Sequence, residues 1–144
     1  MTFTHVALHV RDLEASVAFY RDFCGLGIVQ ERVEHGERIV WMAESGRERE
    51  LIFVLIPGGP GREIREGEFG HLGFAVASKA EVDEIAERAR ALGCLAWPPR
   101  QDPYPVGYFC GLQDPDGTFV EFSYGQPLGP GAEGEDQVLR AREP

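Results

Sequence analysis

The chain contains no asparagine and a single lysine, Lys79. Its 14 lysine and arginine residues face 24 aspartates and glutamates, a formal charge of -10. Nucleic acids and anionic membranes are held by basic patches, so neither is expected as a partner. Also missing is any run of about 18 or more apolar residues, which removes a membrane span. The N-terminus lacks the charged-then-apolar layout of a secretory signal. Cysteine is scarce: Cys24, Cys94 and Cys110 are odd in number, at spacings that match no zinc or redox motif. No disulfide frame is implied, and a reducing cytoplasm is the expected location.

What remains is a soluble, globular composition, 43% hydrophobic over 144 residues. That is about one domain's worth, enough to bury roughly 70% of the unfolded surface. Phe3 to Val10 reads as a strand, followed by a helix that Asp12 caps, with Leu13, Val17, Tyr20 and Cys24 at helical spacing. Gly25 and Gly27 end it, and extended segments follow over 28–33, 38–42 and 51–56. This makes a βαβββ unit. The second half repeats it: a strand over 70–77, then a helix whose Ser78 and Glu81 form a capping box. Val82, Ile85, Ala86, Ala89 and Leu92 mark that helix's buried stripe. Strands are expected over 94–96, 108–113 and 119–123, the last two joined by a DPDG turn.

An offset of 66 residues pairs His5 with His71, Asp12 with Ser78 and Gly27 with Gly93. Two copies of such a unit are expected to pair, because neither buries both faces of its own sheet. The fold class is therefore α+β, two paired βαβββ modules forming a curved mixed-sheet cup. The expected boundaries are one domain over 1–124, with modules 1–57 and 70–124 and a linker over 58–69. The Gly- and Pro-rich residues 125–144 read as an extended or disordered tail.

Side chains alternate along a strand, so Val6, Leu8 and Val10 face the helix while His5, Ala7 and His9 face the cup. The same division turns His71 and Glu121 toward the cup. A lone strand histidine is more often a satisfied polar residue than a ligand. Two at equivalent repeat positions, with a carboxylate on the same inferred face, shift the balance toward metal. The expected site is His5, His71 and Glu121, a set suited to Fe(II) and also accepting Mn(II), Ni(II), Co(II) or Zn(II). Open positions on such an ion take substrate oxygens.

The segments HVALHVRDLEASVAFYRDFCGLG, GHLGFAV and DPDGTFVEF resemble the vicinal oxygen chelate superfamily. That group holds glyoxalase I, methylmalonyl-CoA epimerase, fosfomycin-resistance thiol transferases, type I extradiol dioxygenases and bleomycin-binding proteins. The resemblance covers residues 1 to about 124, and puts His5, His71 and Glu121 on the family's ligand positions in the first, fifth and eighth strands. A fourth ligand of glyoxalases and epimerases falls here on Phe53, with Glu50 as an alternative nearby. Three ligands resemble the dioxygenases and fosfomycin enzymes. Both of these commonly carry a tyrosine ten residues before the glutamate, where this chain has Gly111.

Proton transfer would then fall to His9, Tyr108 or Tyr104, and Trp41, Phe53, Leu55 and Phe119 are expected to line the cup for a small-molecule substrate. Many single-domain members build each cup from two chains, which implies a homodimer. The expected function is a divalent-metal-dependent enzyme acting on a small substrate with adjacent oxygens, an extradiol-type dioxygenase before all else. A glyoxalase-like lyase or isomerase is the first alternative, and a metal-free drug-binding module the second.

Overall fold

The structure, a computed structural model, describes residues 1–132, so the tail expectation for 133–144 lies outside the described residues. The described residues divide into two compact units, 1–66 with 115–117, and 67–114 with 118–132. Of the expected linker, 58–69, residues 58–66 fall in the first unit and 67–69 in the second.

In the first unit, β1 (His5–Val10) leads into α1 (Leu13–Cys24), then β2 (Gly27–Glu34), β3 (Glu37–Ala43) and β4 (Ile52–Pro57). The sheet order is β1-β4-β3-β2, with β1 and β4 parallel and the rest antiparallel. Asp12 caps α1 by accepting from the Ala15 amide, and Gly25 closes it at φ 68°, a left-handed conformation that costs glycine little. Val17 and Tyr20 of α1 are buried, as are Val10, Val40, Met42 and Leu55 of the sheet. The DPDG turn contributes Asp116, which is 6% exposed and accepts from the Arg11 amide and from Nε, each at 3.1 Å. The outer part of Arg11 is exposed, while its amide and Nε hold this buried carboxylate.

The second unit repeats the topology with β5 (His71–Ala75), α2 (Lys79–Ala91), β6 (Leu95–Asp102), β7 (Gly107–Gln113) and β8 (Phe119–Tyr124), in sheet order β5-β8-β7-β6. Ser78 Oγ accepts from the Glu81 amide, while Glu81 reaches back to the Ala77 amide. Val82, Ile85, Ala86 and Ala89 are buried as the periodicity predicts, but Leu92 is 71% exposed because the helix ends there. β6 runs well past the three residues expected of it. Pro98 and Pro99 interrupt the apolar pattern, yet an edge strand tolerates prolines where no neighbour needs their N–H, and bulges on either side of Trp97 absorb them.

Candidate metal centre

Register assigns each β7 and β8 residue to a face. Gly111 pairs with Glu121 and Phe109 with Ser123, so these share one face of the second sheet. In the parallel β5–β8 pair, His71 lies beside Phe119 and Gly73 beside Glu121, which brings the histidine to that face too. The result is a close pair: His71 Nε2 stands 3.4 Å from Glu121 Oε2, with the carboxylate side chain 9% exposed.

The other ends of both groups are held. His71 Nδ1 lies 2.7 Å from the Phe69 carbonyl oxygen, which can only accept, so the proton of a neutral ring sits on Nδ1. Nε2 then presents a lone pair toward a carboxylate oxygen. Two electron-rich atoms facing each other need a cation or a proton between them, and 3.4 Å lets two metal bonds of about 2.1 Å meet on one ion. Glu121 Oε1 accepts from the Gln126 side-chain amide at 2.9 Å. Among the described residues, no group of three or more His, Cys, Asp or Glu side chains is placed to hold a metal ion.

The pair opens on a cavity of about 660 Å³ whose surface is mostly apolar, with Phe69, Trp97 and Phe109 and three prolines in its wall. Trp97 dominates it. Its indole lies on Gly111, stacks on Phe119 at 4.8 Å between centroids and meets the His71 ring edge-on at 5.7 Å. The bulge after Trp97 sets three β6 residues against two of β7, so Trp97 over Gly111 and Arg100 over Phe109 both face the cavity. The Arg100 guanidinium covers the Phe109 ring at 4.9 Å and donates to Asp102 at 2.9 Å, which leaves one paired cation at the rim.

Phe119, expected to line the cup, lies on this face beneath Trp97 but is not among the residues of the cavity wall. Tyr108 is a correction. It pairs with Tyr124 on the helix-covered face, where its hydroxyl donates to Asp83 of α2 at 2.7 Å and Lys79 lies over its ring. That hydrogen bond, with some burial, raises the phenol above its usual pKa, and the side chain is not part of the cavity wall. Trp97, Arg100 and Gln126 went unnoticed. A flat ring opposite a glycine was the available signal for Trp97.

In the first unit, His5 and His9 lie on the exposed face of β1, with Thr4 Oγ1 at 3.0 Å from His5 Nδ1. Trp41 shares that face, since it pairs with Val54 and Val54 pairs with Ala7. Phe53 and Leu55 do not. The parallel register sets Phe53 beside Val6 and Leu55 beside Leu8, and both are buried under α1, with Phe53 6.0 Å from the Tyr20 ring. The expectation that they line the cup, or that Phe53 holds a fourth-ligand position, is overturned by one residue of register. Ile52, Val54 and Ile56 occupy the His5 face instead. Glu50 precedes β4 and pairs with Arg47 at 2.6 Å.

The comparisons with known proteins agree with this architecture. The uncharacterized protein PA2024 of Pseudomonas aeruginosa is 58% identical over 132 residues, 92% of this chain and 94% of its own. A solved structure of a mutant fosfomycin resistance protein FosX from Listeria monocytogenes, complexed with Mn(II) and 1S,2S-dihydroxypropylphosphonic acid, matches with TM-score 0.67 and 23% identity, covering 94% of this chain and 96% of that one. A possible glyoxalase from Bacillus cereus matches with TM-score 0.64 and 25% identity, covering 85% and 98%. The family model that fits residues 2–122 is decisive, and by it the chain belongs to the Glyoxalase/Bleomycin resistance protein/Dioxygenase superfamily.

Proposed function

We propose that the protein is a divalent-metal-dependent enzyme acting on a small, largely apolar substrate with adjacent oxygens. The observation that carries this reading is the facing of His71 Nε2 and Glu121 Oε2 at 3.4 Å, each group held from behind by its own hydrogen bond. His5, on the exposed face of β1, is the third ligand of the proposal, supplied by the same chain or by a second copy in a homodimer. An ion there would act as a Lewis acid or redox centre for a substrate chelating through two oxygens. Fe(II) comes first among the metals that suit two imidazoles and a carboxylate, with Mn(II), Ni(II), Co(II) and Zn(II) also compatible.

The cavity wall narrows the substrate. A phosphonate or phosphate needs several convergent cations, whereas this wall offers Arg100, already paired with Asp102, among aromatic and proline side chains. A flat ring bearing two neighbouring hydroxyls fits that surface by stacking and apolar burial. A ring-cleaving dioxygenase is accordingly the reaction put first. His9, four residues after His5 on the same face, is its proposed proton-transfer group, and would serve equally in a lyase or isomerase.

Metal analysis of protein purified without added metal tests the proposal. Iron at about one per chain, with oxygen uptake on adding catechols, supports the dioxygenase. Nickel or zinc with turnover of a hemithioacetal supports the lyase. His71→Ala should abolish metal retention while the far-ultraviolet circular dichroism stays unchanged. Metal-free protein that binds aromatic drugs without turnover overturns the enzyme reading in favour of capture.

A further inference from the structure

The residues after β8 do not run free. Gly129, at φ +85°, passes so close to β5 that a Cβ on it would stand 2.5 Å from the Ala75 Cβ. Gly131, at φ +69°, lies against the Tyr124 ring and the Val76 carbonyl, where a Cβ would meet atoms at 2.5 and 2.9 Å. These glycines are needed both for backbone conformation and for space. Between them and β8, Pro127 joins the cavity wall and Gln126 donates to Glu121.

We propose that residues 125–131 form a strap whose Gln126 is a positioning residue, holding the Glu121 carboxylate so that Oε2 stays directed at His71 and at the ion. This inference rests on the metal-site reading above. A carboxylate at the end of a flexible side chain rotates between equivalent orientations. A donor fixed on one oxygen selects the orientation in which the other is presented. Gln126 is suited to this because its amide gives a hydrogen bond without adding charge beside the ligand set. The close contacts at Gly129 and Gly131 fix the strap, and so place the amide.

Co(II) titration, followed by its visible absorption, tests the strap. Gln126→Ala should weaken Co(II) binding by about 10–100-fold, the range for losing a partner behind a metal ligand. Gly129→Val, incompatible with Ala75, should weaken it similarly, and the double variant should lose no more than the weaker single variant. The bound Co(II) spectrum at saturation should change in Gln126→Ala, which a merely structural role would not cause. Melting of metal-free Gln126→Ala should stay within about 2 °C of the parent, which separates loss of positioning from loss of fold. Parent-like Co(II) affinity in Gln126→Ala overturns the inference. Glu121→Ala, titrated alongside, separates the two levels. If it loses Co(II) while Gln126→Ala does not, the strap fails alone; if it or the parent shows no Glu121-dependent binding, the metal reading fails and the strap falls with it.

Discussion

Gly111→Ala is the most demanding test of how the cavity wall is built. A Cβ at this position would lie 2.1 Å from Trp97 Cε3 and 2.6 Å from Cδ2. Comfortable carbon contacts begin near about 3.5 Å, so the indole must retreat by more than about 1 Å. Its neighbours resist that movement: Phe119 is stacked at 4.8 Å and the His71 ring stands edge-on at 5.7 Å. Overpacking of this kind costs about 1–3 kcal/mol. In a chain of this size each kcal/mol lowers Tm by about 2–4 °C, so a fall of about 2–12 °C is expected. Gly73 supplies the matched control, because it lies on the same face beside Glu121 and a Cβ there meets nothing within 4 Å. Gly73→Ala should stay within about 0.5 kcal/mol of the parent. Both variants are made in a Trp41→Phe background, where Trp97 is the remaining tryptophan and its emission reports ring displacement directly. If Gly111→Ala melts with the control and its emission is unshifted, Trp97 does not rest on Gly111, and the aromatic wall is misdrawn.

Three further outcomes are expected. Burial, and then the charges of Asp83 and Glu121, push the Cys110 thiol from 9.0 up to about 12, so native protein at about pH 8 should leave this cysteine unmodified by a disulfide reagent until denatured. Above pH 9.0 the unfolded chain loses that proton while the folded chain keeps it to about 12, so stability should fall with rising pH across that window. Urea midpoints measured along the window check the slope, which Cys110→Ala should flatten. Phe53→Glu should destabilise the fold without tightening metal binding, since it removes an aromatic ring worth about 3–5 kcal/mol and buries a charge under α1; tighter metal binding would refute the observed register. Asp116→Ala leaves the Arg11 amide without its acceptor and should cost about 1–3 kcal/mol in urea unfolding, whereas no change would make that contact incidental.

The contrast between residues that could be placed from sequence and those that could not follows from how strongly each strand alternates. HVALHV and TFVEFSY mix polar and apolar letters at period two, so the faces of His5, His9 and Glu121 are legible in the sequence. IFVLIP has no polar letter, so nothing in it says which residues face α1, and the parallel pairing with β1 was needed to choose. Tyr108 is not legible for a different reason: its partner, Asp83 of α2, is 25 residues away in sequence and meets it only through the packing of helix on sheet. β6 failed differently: its two prolines look like strand breakers, and the bulge that accommodates them is what brings Trp97 and Arg100 to one face.

The internal repeat carried the most information and also marks where it ends. Both units share the order of first, fourth, third and second strands, so equivalent positions of the two histidines reflect a shared scaffold. The scaffold does not duplicate the chemistry. On β8 the position facing His71 is a buried carboxylate backed by Gln126, whereas on β4 the His5 face carries Ile52, Val54 and Ile56. An apolar strand beside His5 cannot add an anionic ligand, so under the proposed site the charge balancing a divalent ion comes from Glu121 alone. The charge left uncompensated then favours a substrate that binds as an anion through its oxygens, as an ionised diol does. Installing a carboxylate at Val54 instead of Phe53 would put a second negative charge on the His5 face without entering the core. If Val54 faces that site, Val54→Glu should retain the fold, tighten divalent metal binding and weaken binding of anionic diols; an unchanged balance between metal and diol affinity would remove β4 from the proposed centre.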